Sequence, residues 1–280
     1  MMHGSGVKTR VAGKPVTITI NGRPCRAEEG ETVLAVAIRE GIPVPHLCHE
    51  ESLGPYGACR LCLVEAGKRG KSEMTTSCTL KASEGLSVVT DTPAIVKHRS
   101  ILFELYLAEA PKSEVIKEMA ARYGVTKTRF LKKMETDDPL GGKCVLCGLC
   151  VRACNEIMGA GAINFINRGP YTVVNTPFLE PSADCYGCGA CVKVCPTHAI
   201  VMEDLGGERV MRSWSGTRVP LAECSCCGTY YAPKELAART LAALDPDLER
   251  DLAGLCPACR GKRIAEREIL ARQGGAGNHA

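Results

Sequence analysis

Residues 144–154 read Cys-Val-Leu-Cys-Gly-Leu-Cys-Val-Arg-Ala-Cys, and residues 185–195 read Cys-Tyr-Gly-Cys-Gly-Ala-Cys-Val-Lys-Val-Cys. Both follow one rhythm, C-x2-C-x2-C-x3-C, with equivalent positions 41 residues apart. Ala162-Ile163 follows the first run and Ala199-Ile200 the second, so each run is expected to continue into a short strand. The gap is longer after the first run, and Asn155 stands there where Pro196 ends the second. Three cysteines at two-residue intervals wrap a tight loop around three irons of a 4Fe-4S cube. The fourth, three residues on, opens a helix that points to the neighbouring cube. By that rule Cys144, Cys147, Cys150 and Cys195 hold a cluster A, and Cys185, Cys188, Cys191 and Cys154 hold a cluster B. Gly148 and Gly189 supply small residues where backbone crowds a cluster. A pair of zinc knuckles is the competing reading, and four cysteines per run in this rhythm weigh against it.

Working outward, the chain has 280 residues with 18 cysteines, and aromatic residues make up only 4%. Such a composition favours several small modules over one aromatic-rich core. A disulfide framework belongs to short secreted chains. Here the stretch Met1 to Val11 shows no apolar signal-peptide core, and no segment is apolar for the length a membrane span needs. Reduced, metal-bound thiols in the cytoplasm are the expectation. The net charge of +4, from 35 basic and 31 acidic residues, is too mild to argue for nucleic acid or a membrane surface.

Towards the N-terminus, residues 1–14 read as a flexible start. Residues 16–20 alternate as a strand, Asn21-Gly22 is a hairpin turn and residues 23–27 form the return strand. Glu31 to Glu40 reads as a helix with Val33, Leu34, Ala37 and Ile38 on one face and Gly41 closing it. Leu61–Ala66 and Leu86–Thr90 are further strand candidates. Strands, helix and a cysteine-bearing loop suggest a small β-grasp domain. Within it, Cys48-x10-Cys59-x2-Cys62-x15-Cys78 keeps the central C-x2-C of a plant-type 2Fe-2S site while the outer gaps differ. These four are the candidate ligands of a 2Fe-2S cluster, with zinc the alternative, and Cys25 reads as a small core residue.

Residues 93–135 contain no cysteine. Pro93–Glu109 has Ile95, Ile101, Leu102, Leu105 and Tyr106 at helical spacing. A second helix is expected from a Ser113 cap to Tyr123, and a third over Thr126–Glu135. Beyond residue 205, Cys224-x2-Cys227 and Cys256-Pro257-x-Cys259 are two knuckles separated by 28 residues around an expected helix, Pro233–Leu244. Four thiolates so arranged close a tetrahedral zinc site, with a further iron–sulfur cluster as the alternative. Cys226 is a fifth, unassigned cysteine. Arg260, Lys262, Arg263 and Arg267 read as a solvated basic helix, and a Gly-rich tail as disordered. The fold expected is α+β: a β-grasp 2Fe-2S domain (1–92), a helical linker (93–139), a 2x(4Fe-4S) domain (140–205) and a zinc-ribbon-like module (206–280). No Gly-x-Gly-x-x-Gly or P-loop pattern is present, and no catalytic residue is assigned.

Pro45-His46-Leu47-Cys48, Gly57-Ala58-Cys59-Arg60-Leu61-Cys62 and Cys78 resemble the start of the large iron–sulfur subunit of NADH:quinone oxidoreductase. They equally resemble the diaphorase iron–sulfur subunits of NAD-reducing hydrogenases and the N-terminal region of iron–iron hydrogenases. The run Cys144 to Glu156, continuing to Gly161-Ala162-Ile163, resembles the two-cluster domain of the same proteins. The resemblance implies electron carriage between a flavin/NAD(H) subunit and a terminal catalytic subunit, such as a hydrogenase, formate dehydrogenase or bifurcating reductase. On that reading the chain is a non-catalytic relay partner. Such proteins usually carry a motif of one histidine and three cysteines between the two regions. Leu105 to Tyr123 offers no cysteine and His98 is the lone histidine nearby, so that cluster is expected to be absent. A redox-sensing regulatory protein with a zinc module is the alternative function.

Overall fold

The computed structural model describes residues 13–68, 70–131 and 138–274. Most of the expected flexible start, residues 132–135 of the expected third helix, and residues 275–280 of the tail lie outside the described residues. The chain divides into two compact units. The first comprises Met1–Gly159, Phe165–Val174 and Ala190–Ile200; the second comprises Ala160–Asn164, Asn175–Gly189 and Val201–Ala280.

In the first unit, β1 (Pro15–Ile20) and β2 (Arg23–Glu28) form the hairpin that Asn21-Gly22 demands; both turn residues have positive φ, +51° and +80°. Helix α1 (Val33–Arg39) starts at Thr32, whose hydroxyl accepts from the Ala35 amide. Strands β3 (Leu63–Lys68), β4 (Lys71–Thr76) and β5 (Ser87–Val89) complete a five-stranded sheet of order β2-β1-β5-β3-β4. Only β1 and β5 run parallel. Alternate strand residues Val16, Ile18, Ile20, Cys25, Ala27, Val64, Ala66 and Val88 point to one face and bury α1 against it. Two details differ from the sequence reading. Strand β4 was not anticipated, because Lys71-Ser-Glu-Met-Thr-Thr is mostly exposed at the sheet edge and carries little apolar alternation. The buried face of α1 takes Val36 in place of Ile38, which is exposed: the sheet contacts the helix one residue round from the face chosen by spacing alone.

Helix α2 (Pro93–Glu109) is capped by Thr92, and α3 (Glu114–Ala121) by Ser113, before Gly124 at φ +70°. The buried stripe of α2 is Ile95, Arg99, Phe103 and Leu107, at strict four-residue spacing. Leu105 is exposed, and Ile101, Leu102 and Tyr106 are only partly buried. Sequence reading missed the stripe because a charged residue occupies its centre. Thr126–Leu131 is not helical. Val125 instead anchors the chain in the core beside Ile116 and Ala120.

Helix α4 (Leu149–Arg152) runs into a π-helical turn, Ala153–Ile157. Strands β6 (Asn164–Ile166) and β7 (Val173–Asn175) form a separate two-stranded sheet. Helix α5 (Ala190–Val194) follows the second cysteine loop, and Ala190 and Val194 pack with Leu53, Leu149 and Ala153. The second unit carries an antiparallel meander, β8 (Met202–Leu205), β9 (Glu208–Met211), β10 (Thr217–Glu223) and β11 (Tyr230–Pro233), in order β11-β10-β9-β8. Thus the Ala-Ile dipeptides after the two runs do precede strands, β6 and β8. Helices α6 (Lys234–Leu241), α7 (Pro246–Leu252) and α8 (Pro257–Gly274) complete this unit. Trp214 is buried in it, beside the buried residues Val210 and Met211 of β9.

Candidate metal centres

Cys48, Cys59, Cys62 and Cys78 are all buried in the first unit. Cys48 lies before, and Cys59 and Cys62 on, the loop that leads into β3; Cys78 follows β4. Arg60, at φ +59°, turns the loop tightly between Cys59 and Cys62. The Cys59 amide donates to Cys48 Sγ at 3.3 Å. The Cys59 thiol is held at about 5, first by its hydrogen bond with Cys48; burial opposes this and the Leu61, Leu47 and Cys48 amides assist it. Cys62 is lowered to about 7, first by its bond with Cys78. Cys48 and Cys78 are pushed upward by the same two bonds. The four thiols therefore interact as two pairs, Cys48/Cys59 and Cys62/Cys78. Ser77, fully buried, donates both its amide and its hydroxyl to the Cys62 carbonyl, at 2.9 and 2.8 Å. On its outer side the loop meets a groove of about 1390 Å³ that Cys59, Arg60, Leu105 and Tyr106 help to line.

Arg99, which the sequence reading passes over, and Tyr106, which it places only on a helix, hold this loop. Arg99 is wholly buried and donates to the Leu61 and Leu63 carbonyls at 3.0 and 2.7 Å. Tyr106 donates to the Cys59 carbonyl at 3.0 Å. A cation at the centre of an otherwise apolar four-residue stripe was the sequence signal available for Arg99.

The second centre joins distant parts of the first unit. Cys144, Cys147, Cys150 and Cys195 line one cavity, whose other walls include Leu140, Val145, Val174, Thr197 and Ile200. Leu146 (φ +51°) and Gly148 (φ +78°) place the loop in left-handed backbone on either side of Cys147. That conformation aims amides inward, and the Leu146 amide donates to Cys144 Sγ at 3.3 Å. The Ala199 amide donates to Cys195 Sγ at 3.4 Å. Burial pushes the Cys144 thiol to about 12 and Cys147 to about 11, and raises Cys150 further. Bare thiols in such a site stay protonated at neutral pH; a cationic core must displace those protons to be held. Four cysteines lining one walled cavity are the donor type and number that a 4Fe-4S core takes. Of the other assigned cysteines, Cys154 and Cys191 fall in the first unit and Cys185 and Cys188 in the second. Within the second unit the Cys185–Cys188 loop is held by Arg209, which donates to the Gly187 carbonyl at 2.8 Å while pairing with Asp204 at 2.7 Å.

The third centre lies in the second unit. The β10–β11 hairpin carries Cys224 and Cys227 in its turn, closed by Cys224 and Thr229 and by Gly228 at φ +71°. Cys256 and Cys259 flank Pro257 at the start of α8. The Ser225 amide donates to the Gly254 carbonyl at 2.9 Å and the Cys256 amide to Cys224 Sγ at 3.2 Å, stitching the two knuckles together. The four sulfurs all lie within 4.8 Å of one another. Cys227 and Cys256 Sγ are 3.7 Å apart. A tetrahedron of 2.3 Å metal–sulfur bonds has an edge of about 3.8 Å, so this quartet fits a single tetrahedral ion. The Cys256 amide is the main cause that brings the Cys224 thiol down to about 6. Cys226 is exposed, and its hydrogen bond is the first cause raising the Cys259 thiol. Cys25 is buried in the sheet core, and His98 is exposed on α2.

A mixed sheet presenting one cysteine loop and a separate cavity walled by cysteines define an iron–sulfur protein. Residues 13–93 match the 2Fe-2S iron–sulfur cluster binding domain, and residues 143–199 the 4Fe-4S dicluster domain. The chain is a homologue of subunits of NADH-quinone oxidoreductase and of an NADP-reducing hydrogenase. It is 34% identical to an NADH-quinone oxidoreductase subunit of Rhizobium meliloti, the second of the G type, over 66% of this chain and 24% of that protein. It is 30% identical to the NADPH-Fe(3+) oxidoreductase subunit alpha of Geobacter sulfurreducens over 76% of this chain and 27% of the relative. It is 29% identical to the NADP-reducing hydrogenase subunit HndD of Solidesulfovibrio fructosivorans over 66% and 36% respectively. The chain thus spans about a quarter to a third of the length of these curated relatives. No described helix is long and apolar enough to cross a membrane.

Proposed function

We propose that this chain is an electron-relay subunit of a larger NAD(P)H-linked oxidoreductase, exchanging electrons with a flavoprotein on one side and a terminal catalytic subunit on the other. On this reading Cys48, Cys59, Cys62 and Cys78 of a β-grasp domain hold a 2Fe-2S cluster. Cys144, Cys147, Cys150 and Cys195 hold one 4Fe-4S cluster, and Cys185, Cys188, Cys191 and Cys154 a second. Cys224, Cys227, Cys256 and Cys259 hold a structural zinc in a ribbon-like module. The strand order β2-β1-β5-β3-β4 with α1 packed on one face supports the β-grasp assignment.

The observation that carries the reading is that two thiol sets share one apolar cluster. Cys48 and Cys59 pack with Leu61, Phe103, Val145 and Cys147, and Tyr106 lies against the same group. When bound, iron–sulfur clusters supply one-electron transfer without making or breaking bonds. The chain's own contribution is to bring the ligand thiols of two sites together in a water-poor core and to aim amides at their sulfurs. Hydrogen bonds to sulfur and exclusion of water are among the levers that set cluster potentials. The groove beside Cys59 leaves one side of that loop approachable from the surface. The names of the relatives, an NADH-quinone oxidoreductase and an NADPH-Fe(3+) oxidoreductase, support an NAD(P)H-oxidising partner. The zinc site, with four protein ligands and no open position, braces its module and takes no part in electron flow. Thiols committed to metal fit the reducing cytoplasm.

Co-purification from anaerobic native extract tests the reading. A flavoprotein should accompany the chain and reduce its clusters on addition of NADH or NADPH. Recovery of the chain alone, with clusters that neither nucleotide reduces in extract, would remove the relay role.

A further inference from the structure

We propose that Arg99 and Tyr106 of α2 are positioning residues of the 2Fe-2S site, fixing its cysteine loop and setting how readily that site accepts an electron. The inference rests on the assignment of a 2Fe-2S cluster to Cys48, Cys59, Cys62 and Cys78. Both residues lie beyond residues 13–93, the span that matches the 2Fe-2S domain. They stand seven residues apart, two helical turns, so one face of α2 presents both to the loop.

Three alternate carbonyls of the loop end on this face. Tyr106 takes that of Cys59, and Arg99 takes those of Leu61 and Leu63, which bracket Cys62. With its carbonyls engaged on α2, the loop turns amides the other way: the Cys59 amide donates to Cys48 Sγ at 3.3 Å. Removing either donor frees the loop to rotate and weakens that amide–sulfur bond.

Charge adds a second effect. Arg99 is 0% exposed, whereas the carboxylate that pairs with it, Asp91 at 2.7 Å, is 49% exposed. Water screens the anion far more than the cation, which leaves net positive potential beside the loop. Tyr123 adds only a neutral hydroxyl, 3.1 Å from Arg99 Nη1. Electron uptake makes the site more negative, so a buried cation favours the reduced form. Arginine also suits the task geometrically, because its planar fork reaches two carbonyls at once where lysine would reach one.

The test is an anaerobic redox titration of the full chain, followed by paramagnetic resonance of the 2Fe-2S signal, in the wild type and in Arg99→Met, Arg99→Lys and Tyr106→Phe. The reduction equilibrium should fall on the order of tenfold in Arg99→Met, about 59 mV towards negative potential for one electron. Arg99→Lys, which keeps the charge and loses the fork, should fall between wild type and Arg99→Met, with altered g-values. Tyr106→Phe removes one hydroxyl and should shift the equilibrium two- to threefold in the same direction. If Arg99→Met does not fold, the other two variants still decide. Unchanged potentials and g-values in Arg99→Lys and Tyr106→Phe, with the cluster present, would overturn the inference. A wild-type chain with no 2Fe-2S signal would instead overturn the assignment beneath it.

Discussion

The cavity site of the first unit and the knuckle site of the second are built from the same parts and differ in what their sulfurs surround. Each uses C-x2-C pairs, left-handed glycines and amides aimed at sulfur. In the first, Cys144, Cys147, Cys150 and Cys195 stand around a walled space, and burial drives Cys144 and Cys147 to about 12 and about 11. In the second, four sulfurs crowd within 4.8 Å, and an amide brings Cys224 to about 6. The spacings of the two sites differ, and the scaffold adds a second difference: one set of cysteines lines a cavity, whereas the other is pinned together across a hairpin.

The largest effect that can break this comparison is loss of a single cavity thiol. Cys147→Ser should remove about four iron per chain and one 4Fe-4S resonance signal, while the metal of the second unit is retained. Loss of metal from both sites would show that the two are not independent. Next comes the knuckle quartet. Anaerobically prepared wild type should hold about ten iron and about one zinc. Cys256→Ser should lose the zinc alone and leave residues beyond 205 open to limited proteolysis, because three thiolates no longer close the tetrahedron. A count of about fourteen iron without zinc would erase the distinction between the sites.

A smaller effect sharpens it. Gly148 and Gly228 both have positive φ, +78° and +71°, so alanine at either costs about 1–2 kcal/mol in backbone strain. A Cβ at Gly148 would also come within 3.3 Å of Tyr56 and 3.4 Å of Phe165, whereas at Gly228 the nearest atom is a Glu223 oxygen at 3.8 Å. Gly148→Ala should therefore lower the melting temperature of the holo chain further than Gly228→Ala, by about 2–4 °C per additional kcal/mol. Equal losses would mean that the crowding at the cavity loop relaxes freely.

Much of this was legible in the sequence because it is local. Asn21-Gly22 set a hairpin, and Pro93 and Ser113 set helix starts, through turn and cap chemistry confined to a few residues. The repeated C-x2-C-x2-C-x3-C spacing pointed to clusters through the reach of a short loop. Strand β4 was missed because an exposed edge strand need not alternate. Thr126–Leu131, read as the start of a helix, is irregular, since its basic residues form no buried stripe that could hold one.

By itself the sequence determined which cysteines are candidates and where most turns and helix starts fall, since both depend on neighbours a few bonds away. Only the tertiary structure decided that Cys227 and Cys256 close to 3.7 Å and that Arg99 is buried against the Cys59–Cys62 loop. Those are distances between segments far apart in the chain. They are set by which apolar faces pack together, and no local pattern encodes a separation in space.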